Sequence, residues 1–179
     1  DAYFTKVSEP LTKYQRADLK KKFSRADQLN VAEQKIYTIA WDISEHYLEV
    51  SDGTDWKGQL VCQSKAAAIQ YKKYLDEIGK VSAEVLISPP DMREGEESAY
   101  EESNDIVKRF WNAKMDEFGG SPRQYEKQLI NRYKYDDEPE IIIVVDKLLT
   151  GFDAPRNAIL YITRSLREHT LLQAIARVN

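Results

Sequence analysis

The sequence predicts an α/β domain of three layers, with a mainly parallel sheet between helices and a helical lead-in before it. Three observations carry that expectation. Residues 141–145 read IIIVV, an unbroken β-branched run, which is the pattern of a parallel strand covered on both faces. QLVCQ at 59–63 is followed at once by Ser64 and the helical run KAAAIQYKKYL, a strand, a polar turn and a capped helix. Apolar strand-like runs then alternate with segments of helical period through to the end of the chain.

Residues 1 to about 26 are polar and basic, with Lys13, Arg16, Lys20, Lys21, Lys22 and Arg25 among scattered aromatics and no clear period. They read as a linker or lead-in from an upstream domain, leaving 27–179 as the domain proper. From Asp27, the candidate N-cap, the spacing of Leu29, Ile36, Ile39, Ala40, Ile43 and Tyr47 predicts a helix. His46 near its end is expected to complement the helix dipole or to pack, rather than to bind a metal. SDGTDWKG is a turn-rich loop, Gln59–Gln63 the next strand, and Ser64 the cap of a helix over Lys65 to about Ile78.

Ala83–Ile87 makes a further strand, closed by Pro89 and Pro90. The acidic stretch DMREGEESAYEESND reads as a solvated loop and helix start, because its carboxylates lack the ligand spacing of a calcium loop. A helix carrying Ile106, Val107, Phe110, Trp111 and Met115 stops at Gly119 and Gly120, and Pro122 opens another with Tyr125, Leu129, Ile130 and Tyr133 toward the core. After Ile141–Val145 come the loop DKLLTGFDAP, a last strand at Ile159–Thr163, Arg164 and Arg167, and a helix of roughly Glu168–Val178. Internal repeats and low-complexity segments are absent from the sequence.

Composition narrows the function classes. Of 179 residues, 26 are Lys or Arg and 30 Asp or Glu, so a global basic field for nucleic acid is excluded and any such contact must come from a local patch. The single cysteine, Cys62, cannot form an internal disulfide and reads as a buried, inert thiol of a reducing compartment. No run of the sequence is long and apolar enough to span a bilayer, and the N-terminus lacks a signal-peptide layout. The expectation is a soluble cytoplasmic protein without membrane contact. Because the chain begins without methionine and stops at Asn179, it is expected to be an excised piece of a larger protein.

The loop after residues 141–145 is where polarity changes abruptly, with Asp146, Lys147, Thr150, Gly151 and Asp153 at the carboxyl end of a strand, the edge where open α/β sheets bind ligands. VVDKLLTGFDAP followed by LLQAIARVN resembles motifs V and VI of superfamily two helicases and translocases, in the form found in the restriction (R) subunit of type I restriction-modification enzymes. The eight-residue string LLTGFDAP and QAIARVN together make the resemblance specific, and it extends diffusely back to Leu29.

That resemblance implies a fold and a set of roles. The domain would be the second RecA-like lobe, of P-loop NTPase type, in an ATP-dependent DNA translocase and endonuclease. G-x-x-x-x-G-K-S/T occurs nowhere in the chain, so it cannot be the nucleotide-cradling lobe. Gln173 and Arg177 fall on one helix face at i, i+4 and match the first two members of motif VI; the family's final arginine would fall one position past Asn179. The family pattern makes Gln173 and Arg177 the catalytic candidates, assigns Asp146, Gly151 and Asp153 to the nucleotide, and Lys147 and Thr150 to nucleic-acid phosphates. QLVCQSKAAAIQYKKYL would be motif IV, with Ser64 and Lys65 on the DNA backbone. A hydroxyl, an ammonium and a small residue's N–H bind phosphate without reading sequence.

ATP and magnesium are implied as cofactors of the parent, held mainly by the first lobe, with none bound tightly by this piece and no metal ligands within it. Implied partners are double-stranded DNA, the first RecA-like lobe and nuclease domain of the same subunit, and modification and specificity subunits. The isolated piece is expected to be inactive. Two alternatives stay open: a non-catalytic α/β binding module, and the motor lobe of another superfamily two helicase.

Overall fold

Among the described residues the elements follow in the order α1 (Lys13–Ala26), α2 (Val31–Ser51), β1 (Lys57–Val61), α3 (Lys65–Ile78), β2 (Ala83–Leu86), α4 (Ser98–Glu117), α5 (Pro122–Tyr135), β3 (Ile141–Val144) and β4 (Asn157–Ile162). The computed structural model describes residues 12–26, 30–90, 98–148 and 154–164. Four strands form one sheet in the order β2-β3-β1-β4, and every neighbouring pair is parallel. Register is set through β1: Val61 lies beside Val144 on one flank and beside Ile162 on the other.

The sheet core is what the β-branched run foretold. All of Ile141–Val144 is buried, because helices cover both faces and no alternation with polar residues is needed. Gly58 and Leu60 face α2 and α3. A Cβ on Gly58 would stand 3.3 Å from Ile141 Cγ1 and 3.5 Å from Tyr47 Cδ2, so the bare backbone lets α2 approach. Lys57 and Gln59 face the other way, toward α5. There the Tyr133 hydroxyl is shared between Asn157 Oδ1 at 2.7 Å and the Gly58 carbonyl at 3.0 Å, and Asn157 Nδ2 donates to Gln59 Oε1 at 3.1 Å.

Each helix has a local reason to exist. Asn30 caps α2, its side-chain oxygen accepting from Ala32 N and Glu33 N at 3.1 and 3.0 Å; Asp27, the cap expected from sequence, lies outside the described residues together with Leu29. The buried stripe of α2 is Tyr37, Ala40, Trp41, Ile43, Ser44 and Tyr47, with Ile36 and Ile39 only partly buried. The helix is thus turned toward its aromatics. Ser64 caps α3 by accepting from Ala67 N at 3.1 Å, and Ala67, Ala68, Tyr71, Tyr74, Leu75 and Ile78 form its buried face. Gly119 and Gly120, both at positive φ, end the approach from α4. Ser121 then caps α5, which starts on Pro122. Trp111 and Phe118 close edge-on and tilted against Tyr125, with centroids 5.9 and 5.4 Å away, holding α4 to α5.

The lead-in is helical, as the fold class expected, although its sequence shows no clear apolar period. Lys13–Ala26 forms a regular helix. It docks through charge: Lys22 to Asp42 and Asp18 to Lys80, with Arg25 Nε 2.6 Å from Glu77 Oε1. Lys80 also pairs with Glu45 and lies 4.9 Å from the centre of the Trp41 ring. His46 packs as expected, edge-on to Tyr161 with its Nδ1 3.0 Å from the Tyr161 hydroxyl.

Candidate functional site

All four strands point their carboxyl ends to one edge, so the chain leaves Val61, Leu86, Val144 and Ile162 on the same side of the sheet. From β1 the connection runs through α3 to β2 on one flank. From β3 it runs to β4 on the other. The connections from adjacent strands β1 and β3 thus run in opposite directions across the sheet, and the carboxyl edge of a parallel α/β sheet is where ligands bind.

At this edge Ser64 and Lys65 follow β1, and Asp146 and Lys147 follow β3. Ser64 Oγ is committed to its helix cap. Lys65 Nζ donates to the Pro89 carbonyl beyond β2 at 2.5 Å, spanning the end of the intervening strand. Lys147 Nζ lies 2.6 Å from Glu126 Oε2 of α5. Asp146 Oδ1 lies 2.9 Å from an Arg164 guanidinium nitrogen beyond β4. The β1 exit is fixed by Thr163, whose N–H and hydroxyl both donate to the Val61 carbonyl at 3.0 Å.

Of the residues expected at this site, Ser64 and Lys65 lie just past β1 and Asp146 and Lys147 just past β3, at the same edge of the sheet, each with a partner elsewhere. Thr150, Gly151, Asp153, Gln173 and Arg177 lie outside the described residues. Three further contributors were not singled out from the sequence. Leu148 has φ of 64° and is buried, an uncommon state for a branched residue, with a left-handed backbone costing about 1 kcal/mol. Its side chain lies in the core at the end of the described part of this loop. Thr163 and Arg164 close the β4 side. A polar pair two residues past an apolar strand was the available signal, but partner identity depends on strand order.

Burial excludes Cys62 as a nucleophile. Its thiol is pushed up to about 12 by desolvation, which hydrogen bonding to Thr163 and the nearby Arg164 charge only partly oppose. Among the described residues no three His, Cys, Asp or Glu side chains are grouped to hold a metal ion, and no helix is long and apolar enough to cross a membrane.

Fold and edge together define a parallel α/β domain with polar loops gathered at its carboxyl edge. The chain belongs to the family described as type I restriction enzyme subunit R domain 3, whose model matches residues 12–179. It is 30% identical over 172 residues, 92% of its length, to the putative type I restriction enzyme MjaVIIIP endonuclease subunit of Methanocaldococcus jannaschii. It is 26% identical over 97% of its length to the putative MjaVIIP endonuclease subunit of the same organism. To the type I restriction enzyme HindI endonuclease subunit of Haemophilus influenzae it is 22% identical over its whole length. The chain spans 16% of the length of each of these relatives.

Proposed function

We propose that this domain is the second RecA-like lobe of an ATP-driven DNA translocase within a type I restriction R subunit, and that it completes the ATP site and grips the DNA backbone. The observation that carries this is the coincidence of family membership with a carboxyl edge on which the β1 and β3 loops, roots of motifs IV and V, stand side by side. A first lobe would cradle ATP and magnesium, since this sequence has no P-loop of its own. This lobe would supply Arg177, whose permanently charged planar fork suits phosphate oxygens, with Gln173 one helical turn before it. Asp146, Gly151 and Asp153 would face the nucleotide. Ser64, Lys65, Lys147 and Thr150 would face backbone phosphates.

The chemistry asked of these residues is positioning and charge stabilisation, which dominate phosphoryl transfer. The edge has matching groups in a hydroxyl at Ser64, ammonium groups at Lys65 and Lys147 and a carboxylate at Asp146. Lys65 and Lys147 are each occupied by a protein acceptor, so a phosphate would replace an existing bond for each. In the assembled enzyme the subunit would work with modification and specificity subunits on double-stranded DNA, inside the cell, and its nuclease would lie in another domain.

The test is DNA-stimulated ATP hydrolysis by the full R subunit carrying Arg177→Ala, with folding monitored in parallel. Loss of turnover on the order of a hundredfold or more is expected for an arginine acting on phosphoryl transfer. Unchanged turnover in a folded variant refutes the role of Arg177, and measurable ATPase from the 179-residue chain alone refutes the division into two lobes.

A further inference from the structure

We infer that the Asp146–Arg164 pair is a strap that sets the motif V loop against the segment leading to motif VI, so that both residues act by positioning and not by touching nucleotide. This rests on the lobe reading above and revises it for Asp146. Asp146 stands two residues past Val144 and Arg164 two past Ile162, and Val61 of β1 is in register with both. The two residues thus leave the sheet at one level, on strands separated by β1, about 10 Å apart at two strand spacings. An aspartate and an extended arginine are long enough to close that gap. They do so at 2.9 Å, passing over the exit of β1.

The pair is asymmetric. Arg164 is seated, with its side chain 19% exposed, whereas Asp146 is 80% exposed. Among the described residues Asp146 is the only side chain that accepts from Arg164, and Arg164 Nε reaches neither solvent nor an acceptor. Removing Asp146 therefore leaves a largely enclosed guanidinium without its acceptor, a state that drives the side chain to relocate. Relocation would release the chain on both sides. Asp146, Lys147 and Leu148 are anchored in turn to the β4 exit, to α5 and to the core, so the chain leaving β3 is held at three consecutive residues. Arg164 immediately precedes the stretch that carries Gln173 and Arg177. A single ion pair thus joins the bases of the two segments whose relative placement the ATP site needs.

The experiment is a double-mutant cycle in the full R subunit: Asp146→Asn, Arg164→Gln and the two combined, beside the charge exchange D146R/R164D. Melting temperature and DNA-stimulated ATP turnover are read for each, the latter resolved into kcat and KM for ATP. Each single variant is expected to lower kcat about tenfold, well within what misplacement of a catalytic group costs, with KM little changed. The combined neutral variant is expected to be no worse than either single one, and the charge exchange to recover most of the loss. Losses that multiply in the combined variant, or a charge-exchanged subunit that stays inactive or unfolded, overturn the strap and return Asp146 to direct contact with nucleotide. A wild-type subunit with no DNA-stimulated hydrolysis overturns the lobe reading and the strap with it; an active wild type with multiplying losses overturns the strap alone.

Discussion

Lys57 lets the structure be tested without any partner, through the dependence of folding stability on pH. Its side chain is buried, the residue being 1% exposed. Its ammonium donates to the Asp136 carbonyl at 2.5 Å and the Pro139 carbonyl at 2.8 Å, 5.4 Å from the centre of the Tyr133 ring. Among the described residues no carboxylate pairs with it directly. Burial, helped by the Arg156 charge and opposed by Asp137, Asp136 and Glu140, lowers its pKa from 10.5 to about 8. Below pH 8 folded and unfolded chains both hold the proton, and the folded state bears the full cost of enclosing a charge. Between pH 8 and 10.5 the unfolded chain holds more protons, so stability rises with pH.

That interval, at about 1.4 kcal/mol per unit, corresponds to about 3 kcal/mol, reduced to about 2 kcal/mol once water screening at the sheet's amino edge is included. The assay is urea unfolding at half-unit steps from pH 7.5 to 10, comparing the wild-type chain with Lys57→Met. The wild type is expected to gain about 2 kcal/mol relative to the variant across this window. Tyrosines oppose the trend only at its upper end. Tyr47, Tyr71 and Tyr74 are pushed up to about 12 by burial, so their contribution is intact below pH 10 and is lost as pH rises through about 12. They titrate alike in both proteins and cancel in the difference. Parallel stability curves would show that Lys57 is solvated or paired and would refute the reasoning.

Tyr133→Phe removes the donor that serves both Asn157 and the Gly58 carbonyl; a loss of about 1–3 kcal/mol is expected for stranded buried acceptors, read as a lower urea midpoint with unchanged slope. Raising salt from about 0.05 to 0.5 M shortens the Debye length several-fold and is expected to speed hydrogen exchange in α1 before α3, because α1 docks through Lys22–Asp42, Arg25–Glu77 and Asp18–Lys80. Equal salt sensitivity of the two helices would show that apolar packing, not charge, holds α1.

Legibility in the sequence followed the kind of force at work. The bounds of α3, Lys65–Ile78, agree with expectation, because a serine cap and a strict apolar period both speak locally. The start of β1 does not: the strand runs over Lys57–Val61 where Gln59–Gln63 was expected. A buried lysine and a glycine carry no strand signal on their own, and their place is explained only by Tyr133, Asn157 and Asp136 from distant parts of the chain. The docking of α1 was obscure for the same reason. Its acceptors Asp42 and Glu77 belong to other helices, and charge complementarity leaves no period. At the site, the polar loop after Ile141–Val144 was evident from the change in composition. The Asp146–Arg164 contact was not, since it exists only if β1 lies between β3 and β4.

The two edges of the sheet divide their work by how their polar groups are satisfied. At the amino edge, Lys57, Gln59, Tyr133 and Asn157 are enclosed and bonded to one another or to carbonyls, so any rearrangement strands a donor or acceptor at the cost of desolvation. At the carboxyl edge, Lys65 and Lys147 hold their acceptors in exposed or half-exposed contacts, each of which water or phosphate can replace at a cost near zero to 1 kcal/mol. A lobe that must exchange ligands through a cycle needs that contrast: a rigid floor to keep β1, β3 and β4 in register, and a rim whose pairs open without unfolding it. Substitutions at the amino edge should accordingly move the urea midpoint and leave turnover per folded subunit intact, while those at the carboxyl edge should do the reverse.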